Sequence, residues 1–441
     1  MIVQKFGGTS VGGAGPIRRL GDIVATNLHR EPLVVVSAVA GVTNRLFRCA
    51  ELARTRGDWR REHAGLVELH AGLCSELEVD FDPARALLGD LEGLLRGIEL
   101  LGECTPRSLD YVASFGERIS ARIVAAHLTQ AGIPASALDA WDAGLVTDSR
   151  FGSARPLATT PDSIRAALRD RKGVSVITGY VARDAHGVVT TLGRGGSDYS
   201  AAIFGAALGA EEIQIWTDVD GVMSADPRIV PSARHLGSLS YAEAAELAFF
   251  GAKVLHPATI VPAVERGIPI RVLNSYRPDF EGTCVTTKAE CTPQGLKSIA
   301  TKDGIAVVNI VASAMMLQFG FLERIADVFA RHRIVVDVIA TSEVSVALST
   351  DESAPGLDDA VRELSLFAQV NVVRDLALVS LVGAELRARC DLLARALGVL
   401  AERNVQPEML SYGATRNNLS IVLARSKMRA TVEALHSALL T

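Results

Sequence analysis

Ile2-Val-Gln-Lys5-Phe-Gly-Gly-Thr-Ser10 opens the chain with a short apolar run, a cation near its end and a pair of glycines. The run predicts a strand, and the glycines predict a tight turn into a helix that opens near Pro16. Glycines at such a turn let backbone N–H groups approach an anion closely, and the helix that follows adds the positive end of its dipole. Lys5, at the strand's end, would aim at the same anion. Three more glycine-rich clusters follow at strand-to-helix turns: Ser37–Asn44, Leu192–Asp198 and Thr217–Arg228. Each cluster alone reads equally well as a tight turn without a ligand. None matches G-x-x-x-x-G-K-[ST], and none is a full G-x-G-x-x-G fingerprint followed by a ribose-binding acid. Two such turns with strand-end cations, Lys5 and Arg194, together imply one site built for several anionic groups.

Outward from that stretch, Leu33–Ser37, Val174–Gly179 and Ile213–Thr217 are further apolar runs of strand type. They suit a sheet covered on both faces by helices. Helical patterns lie between them, notably Pro16–Leu28, Asp110–Ala131 and Ser197–Leu208, and residues 50–105 read as a helical excursion from the sheet. The segment Asn274–Gln294, with Pro278, Gly282 and Pro293, predicts a final strand running into a linker. Beyond it lies an internal repeat. Ile305–Val311 matches Leu376–Val382 without a gap, and Phe329, Ala330, Ile334 and Ile339 match Leu400, Ala401, Val405 and Leu410 at the same offset. A second strand follows in each copy, at Val344–Leu348 and Leu419–Leu423, and a helix such as Ala430–Leu439 ends the chain. Two copies are too few for a solenoid, so they are expected to pair side by side.

Bulk properties bound the function. The chain has 441 residues, 49% of them hydrophobic, and a net charge of -5. That balance argues against nucleic acid as the main partner. No apolar stretch is long enough to span a membrane. The N-terminus does not read as a signal peptide. The six cysteines have no C-x-x-C spacing and are expected as reduced thiols, which together predicts a cytoplasmic protein. Nine histidines show no metal-binding spacing, and His256 reads as structural.

The ordered set KFGGTS, SAVAGVTN, SFGERISA, TTLGRGGSDYSAA, WTDVDGVMSADPR and FGAKVLHPAT resembles bacterial aspartokinases, most closely the lysine-sensitive monofunctional type, over essentially the whole chain. The resemblance implies a three-layer α/β/α amino acid kinase domain over residues 1–290. Two ferredoxin-like ACT domains would follow at 296–375 and 376–441, with the strand near Lys297–Thr301 open to assignment to the second. It also implies transfer of the ATP γ-phosphoryl group, with Mg²⁺, to the side-chain carboxylate of L-aspartate. Lys5 and Asp198 are the catalytic residues on this reading, although Asp198 by itself also reads as a first-turn helix acid. Thr43, Glu117, Arg194, Gly195, Gly196 and Ser197 would hold the amino acid, with Glu117 on its ammonium and Arg194 on its α-carboxylate. That use of Glu117 disfavours an N-acylated substrate such as N-acetylglutamate. Retention of Lys5, Glu117, Arg194 and Asp198 together disfavours a catalytically dead sensor. Lys5, Phe6, Gly7, Gly8, Thr217 and Asp218 would meet ATP, as would Met223, Arg228, Lys253 and Val254. Met223 replaces an aromatic residue found in relatives. No protein metal ligand is expected, Mg²⁺ being held by phosphates and water.

For the C-terminal repeat the resemblance implies a homodimer, or a dimer of dimers, formed through the ACT domains, with L-lysine as effector. The effector site would draw on Met315, Gln318, Phe321, Leu322 and Val335, then on Val336, Asp337, Ser342 and Glu343. Gln318 and Val335 stand where lysine-sensitive relatives have serine, which leaves weaker sensitivity or another effector open.

Overall fold

The computed structural model describes residues 1–249, 257–287, 289, 295–311, 320–384, 386–412 and 417–440. By internal packing they fall into two units: Met1–Val222, Gly237–Tyr241 and Val254–Ala289 in the first; Met223–Leu236, Ala242–Lys253 and Glu290–Thr441 in the second.

The first unit is built on an eight-stranded sheet. Strand Ile2–Phe6 lies inside it, flanked in parallel by Pro32–Val36 and Glu212–Thr217. Val174–Thr178 and Ala135–Leu138 extend the parallel sheet on one side, and Ile270–Asn274 on the other. Ile2–Phe6, Pro32–Val36 and Val174–Thr178 are buried at every position, as a sheet with both faces covered requires. The continuous apolar runs in the sequence place these strands to within a residue. The helical excursion resolves into Val42–Arg54, Trp59–Leu77 and Asp82–Leu101. Their apolar faces, including Leu46, Trp59, Leu66 and Leu91, share one core with Phe6, Val34 and Phe115.

Pro106–Gln130 is the central helix. Thr105 caps it by accepting from the Ser108 N–H, and Pro106 starts it where no donor is lost. Its polar residues Asp110, Ser114 and Glu117 are buried, which an ordinary surface helix would not tolerate. A separate three-stranded sheet of Val146–Thr147, Val181–Asp184 and Val189–Thr191 delivers the glycine-rich turn before helix Gly196–Leu208.

In the second unit the two repeats form one six-stranded sheet. Their leading strands, Leu296–Val311 and Gln369–Gly383, pair antiparallel with Ile305 opposite Leu376, the first matched residues of the repeat. Leu296–Val311 serves two cores. Leu296 and Ile299 pack with Val379, Leu400 and Leu435, whereas Ala306, Val308 and Ile310 pack with Phe321, Val328 and Leu348. The register shifts between Asp303 and Ile305, beside Gly304 at φ 69, where the strand passes from one core to the other. Ala225 and Val230 join the core of the second repeat, which explains why their segment packs with this unit.

Candidate active site

The parallel strands of the first unit end together: Phe6 stands opposite Val36 and Trp216, Val36 opposite Thr178, and Thr217 opposite Asn274. Ligands of open parallel sheets bind outside such carboxyl ends, where successive connections leave in opposite directions. Strand Ile2–Phe6 occupies that place, between Pro32–Val36 and Glu212–Thr217. Lys5 is 8% exposed, and its Nζ lies 2.6 Å from Asp198 Oδ1. A Cβ on Gly7 would sit 3.4 Å from that Nζ, so the missing side chain keeps space beside the ammonium. Gly7 has φ -71, so glycine is there for room rather than for a left-handed backbone.

Asp198 lies in the first turn of helix Gly196–Leu208, entered through Gly193 at φ 79 and Gly195 at φ 71. The turn is seated tightly. A Cβ on Gly196 would come 2.6 Å from Tyr180 Cδ2, and one on Gly179 would come 2.7 Å from Ser197 Oγ. Tyr180 itself takes φ 67, and its N–H donates to Ser200 Oγ at 3.0 Å. Ser197 is half-buried, while Arg194 is exposed.

Glu117 is buried, and its Oε1 accepts from the Ala38 N–H at 3.2 Å. Its Oε2 has no hydrogen-bond partner among the described residues. Burial pushes this carboxyl up to about 8, against the opposing hydrogen bond from Ala38. Gly116 allows the close approach, since a Cβ there would meet Ala38 Cβ at 2.7 Å. The Ala38 carbonyl in turn stands 3.2 Å from where a Gly8 Cβ would be, so Ala38 links the Lys5 turn to Glu117. Thr43, half-buried, follows Gly41 at the start of helix Val42–Arg54.

On the expected nucleotide side, Phe6 stacks on Trp216 with ring centroids 6.1 Å apart. Ser10 Oγ and Ser275 Oγ are 2.9 Å apart, and Ser275 Oγ donates to the Thr217 carbonyl at 3.0 Å, tying the Lys5 turn to the end of Glu212–Thr217. Thr217 Oγ1 donates to the exposed Asp218 at 3.2 Å. Met223 and Arg228 belong to the second unit, where Arg228 is held by Asp226 at 2.6 Å. Lys253, Val254 and His256 lie outside the described residues. Sequence reasoning missed Ser10, Ser275, Tyr180 and Asp110. Only Asp110 left a trace, as an acid two helical turns before Glu117. Among the described residues no group of three or more His, Cys, Asp or Glu is arranged to hold a metal ion.

Of the residues expected to bind an effector, Phe321 is buried, while Leu322, Val335, Ser342 and Glu343 are exposed. Val336 is half-buried. Asp337 accepts from Lys302 Nζ at 2.8 and 2.6 Å. Met315 and Gln318 lie outside the described residues.

Residues 1–274 match the amino acid kinase family model, and residues 379–439 match an ACT domain model. Aspartokinase 1, chloroplastic, of Arabidopsis thaliana is 38% identical over 451 residues, spanning 98% of this chain and 79% of the relative. Lysine-sensitive aspartokinase 3 of Escherichia coli K12 is 35% identical over 452 residues, spanning 99% of this chain and 98% of the relative. The chain belongs to the aspartokinase family. Among solved aspartokinases, E. coli aspartokinase III in complex with aspartate and ADP superposes with a TM-score of 0.84 at 32% identity, each chain covered in full. The same enzyme in complex with lysine and aspartate gives 0.83 at 33% identity. The aspartokinase reaction moves the γ-phosphoryl group of ATP onto the side-chain carboxylate of L-aspartate, and the kinase and ACT architecture expected from the sequence is present.

Proposed function

We propose that Lys5 and Asp198 are the catalytic pair of this aspartokinase, and that Thr43, Glu117, Arg194 and the Gly195–Ser197 turn hold L-aspartate. Phe6, Gly7, Gly8, Thr217 and Asp218 hold the nucleotide. The 2.6 Å Lys5–Asp198 ion pair at the carboxyl ends of the parallel strands carries this reading. The acceptor carboxyl, with a free pKa near ~3.9, is already ionised at neutral pH, so no general base is required. One carboxylate oxygen attacks the γ-phosphorus in line, the bond to the bridging β–γ oxygen breaks, and ADP leaves with that oxygen's charge. A divalent cation held by the phosphates and water, Mg²⁺ on this reading, would offset part of the triphosphate charge. Lys5 supplies a fixed positive charge to the transferring group, and Asp198 holds the ammonium in place.

Glu117 provides the test. A carboxyl buried to a pKa of about 8 is mostly protonated at pH 7, yet it must be ionised to pair with the substrate ammonium. Aspartate binding therefore expels a proton below pH 8. The aspartate KM is expected to fall about tenfold per pH unit as pH rises towards 8 and then to level off. Glu117→Gln is expected to flatten that profile and to raise the KM at pH 8.5 by about tenfold or more. Steady-state rates from pH 6 to 9 at saturating Mg·ATP decide it: a slope that survives in the variant removes Glu117 from ammonium binding.

For regulation the reading is feedback by L-lysine at the ACT modules, in a dimer or dimer of dimers formed through them. Asp337 supports it, because its carboxylate already accommodates an alkylammonium, that of Lys302. An effector ammonium would compete with Lys302 there. The lysine-sensitive E. coli relative, matched end to end, supports lysine as the effector, and the plant relative is as similar to this chain. No described helix is long and apolar enough to cross a membrane, and the described cysteines are free thiols, which supports a cytoplasmic location.

A further inference from the structure

Asp110 lies seven residues before Glu117 on helix Pro106–Gln130, so the two carboxyls share a face two turns apart. Asp110 is 4% exposed and takes three donors from two other segments. Its Oδ2 accepts from the Gly152 N–H and the Thr191 N–H, both at 2.9 Å, and its Oδ1 accepts from Thr191 Oγ1 at 2.8 Å. Thr191 is fully buried and is itself fixed, its carbonyl accepting from the Ala154 N–H at 2.8 Å. Leu192 N–H donates to the Tyr180 carbonyl at 2.9 Å. The Gly152 carbonyl lies 2.9 Å from where a Gly193 Cβ would be, closing the packing around the turn that carries Arg194. Nothing in the phosphoryl transfer itself uses Asp110.

An α-amino acid is recognised at two points, ammonium and carboxylate, whose separation is set by covalent geometry. A site that reads both must hold its own groups at a matching separation, and small misplacement costs affinity steeply. Glu117 comes from the helix and Arg194 from the turn, and Asp110 is the side chain that bonds the helix to the strand feeding that turn. We propose that Asp110 is a positioning residue that fixes the spacing between Glu117 and Arg194, and so sets the affinity for the free amino acid. It acts through Thr191 and Gly152. The proposal rests on the assignment of Glu117 and Arg194 to the substrate.

Asp110→Asn keeps size and one acceptor but loses a hydrogen bond to a charged group. It is expected to raise the aspartate KM about tenfold or more while the ATP KM stays within about twofold. Thr191→Val removes only the hydroxyl and is expected to raise the aspartate KM about three- to fivefold. Thr191→Ser restores the hydroxyl and is expected to return it to about the wild-type value. Thermal unfolding of each variant separates this from loss of fold, and Thr191→Val carries the test if Asp110→Asn does not fold. A purely structural role would reduce the active fraction without splitting the two KM values, and that result overturns the proposal. Glu117→Gln and Arg194→Ala measured alongside separate the two levels. If they raise the aspartate KM and the Asp110 and Thr191 variants do not, the inference alone falls. If none does, the substrate assignment falls with it.

Discussion

Lys5→Ala lowers kcat by about a thousandfold or more while leaving the ATP KM within a few-fold. The expectation follows from the charge the reaction must manage. An anionic carboxylate approaches a polyanionic phosphate, and preorganised positive charge is what lowers that barrier. Deleting one such donor typically costs about 10²–10³ in rate, and a cation on a transferring phosphoryl group about 10³–10⁵. Lys5 is well placed to supply that charge, being nearly buried, held by Asp198 at 2.6 Å, and left room beside its Nζ by Gly7. Lys5→Arg is expected to rescue little, because a planar fork on a longer stem must fill the space that Gly7 leaves open. Asp198→Asn is expected to cost less, about 10- to 100-fold, since the ammonium remains but is no longer aimed. The double variant should be little worse than Lys5→Ala alone, because the two act as one unit. Initial rates at saturating substrates, with thermal unfolding as a control for fold, decide the matter. A kcat within about tenfold of wild type removes Lys5 from the chemistry.

Lys297→Met is expected to destabilise the second unit by about 3–5 kcal/mol, the usual cost of removing one partner from a buried ion pair. Lys297 Nζ lies 3.1 Å from Glu243 Oε2, and the two side chains are only 2% and 1% exposed. Methionine keeps most of the apolar stem, so the loss isolates the charge. Glu243 would be left in a low-dielectric setting without this counter-charge. Adding Glu243→Gln to Lys297→Met is expected to recover part of the loss, as a neutral pair needs no partner charge. Two units need not unfold together, so the measurement is a denaturant titration followed by more than one probe. An unchanged transition for Lys297→Met would show that the pair contributes nothing net.

The kinase sheet and its helical excursion were legible because long apolar runs and helical periods are local signals. The leading strands and the second strands of the repeat were legible for the same reason. What the sequence could not show depends on contacts between distant residues. Ala225 and Val230 draw their segment into the core of the second repeat, and two isolated apolar residues carry no period. The strand near Lys297–Thr301 and the strand at Ile305–Val311 read as separate pieces. In the structure they are one strand interrupted by a register shift beside Gly304. At the site, the glycine turns and Lys5 stood out because strand-end glycines and cations are unusual together. Asp110 and Tyr180 did not, since a buried acid is identified by its donors, here from Gly152 and Thr191. Likewise Lys302, which meets Asp337, lies on another strand with nothing in its neighbourhood to mark it.

ADP release from Mg·ATP with L-aspartate, with and without L-lysine, tests the central claim most directly, with L-glutamate and N-acetylglutamate as control acceptors. The account predicts aspartate-dependent release, suppressed by lysine and absent with N-acetylglutamate. Turnover indifferent to lysine would contradict the effector assignment, with Gln318 and Val335 as the first residues to examine. Folded, ATP-binding protein that releases no ADP in the presence of aspartate would contradict the kinase assignment itself.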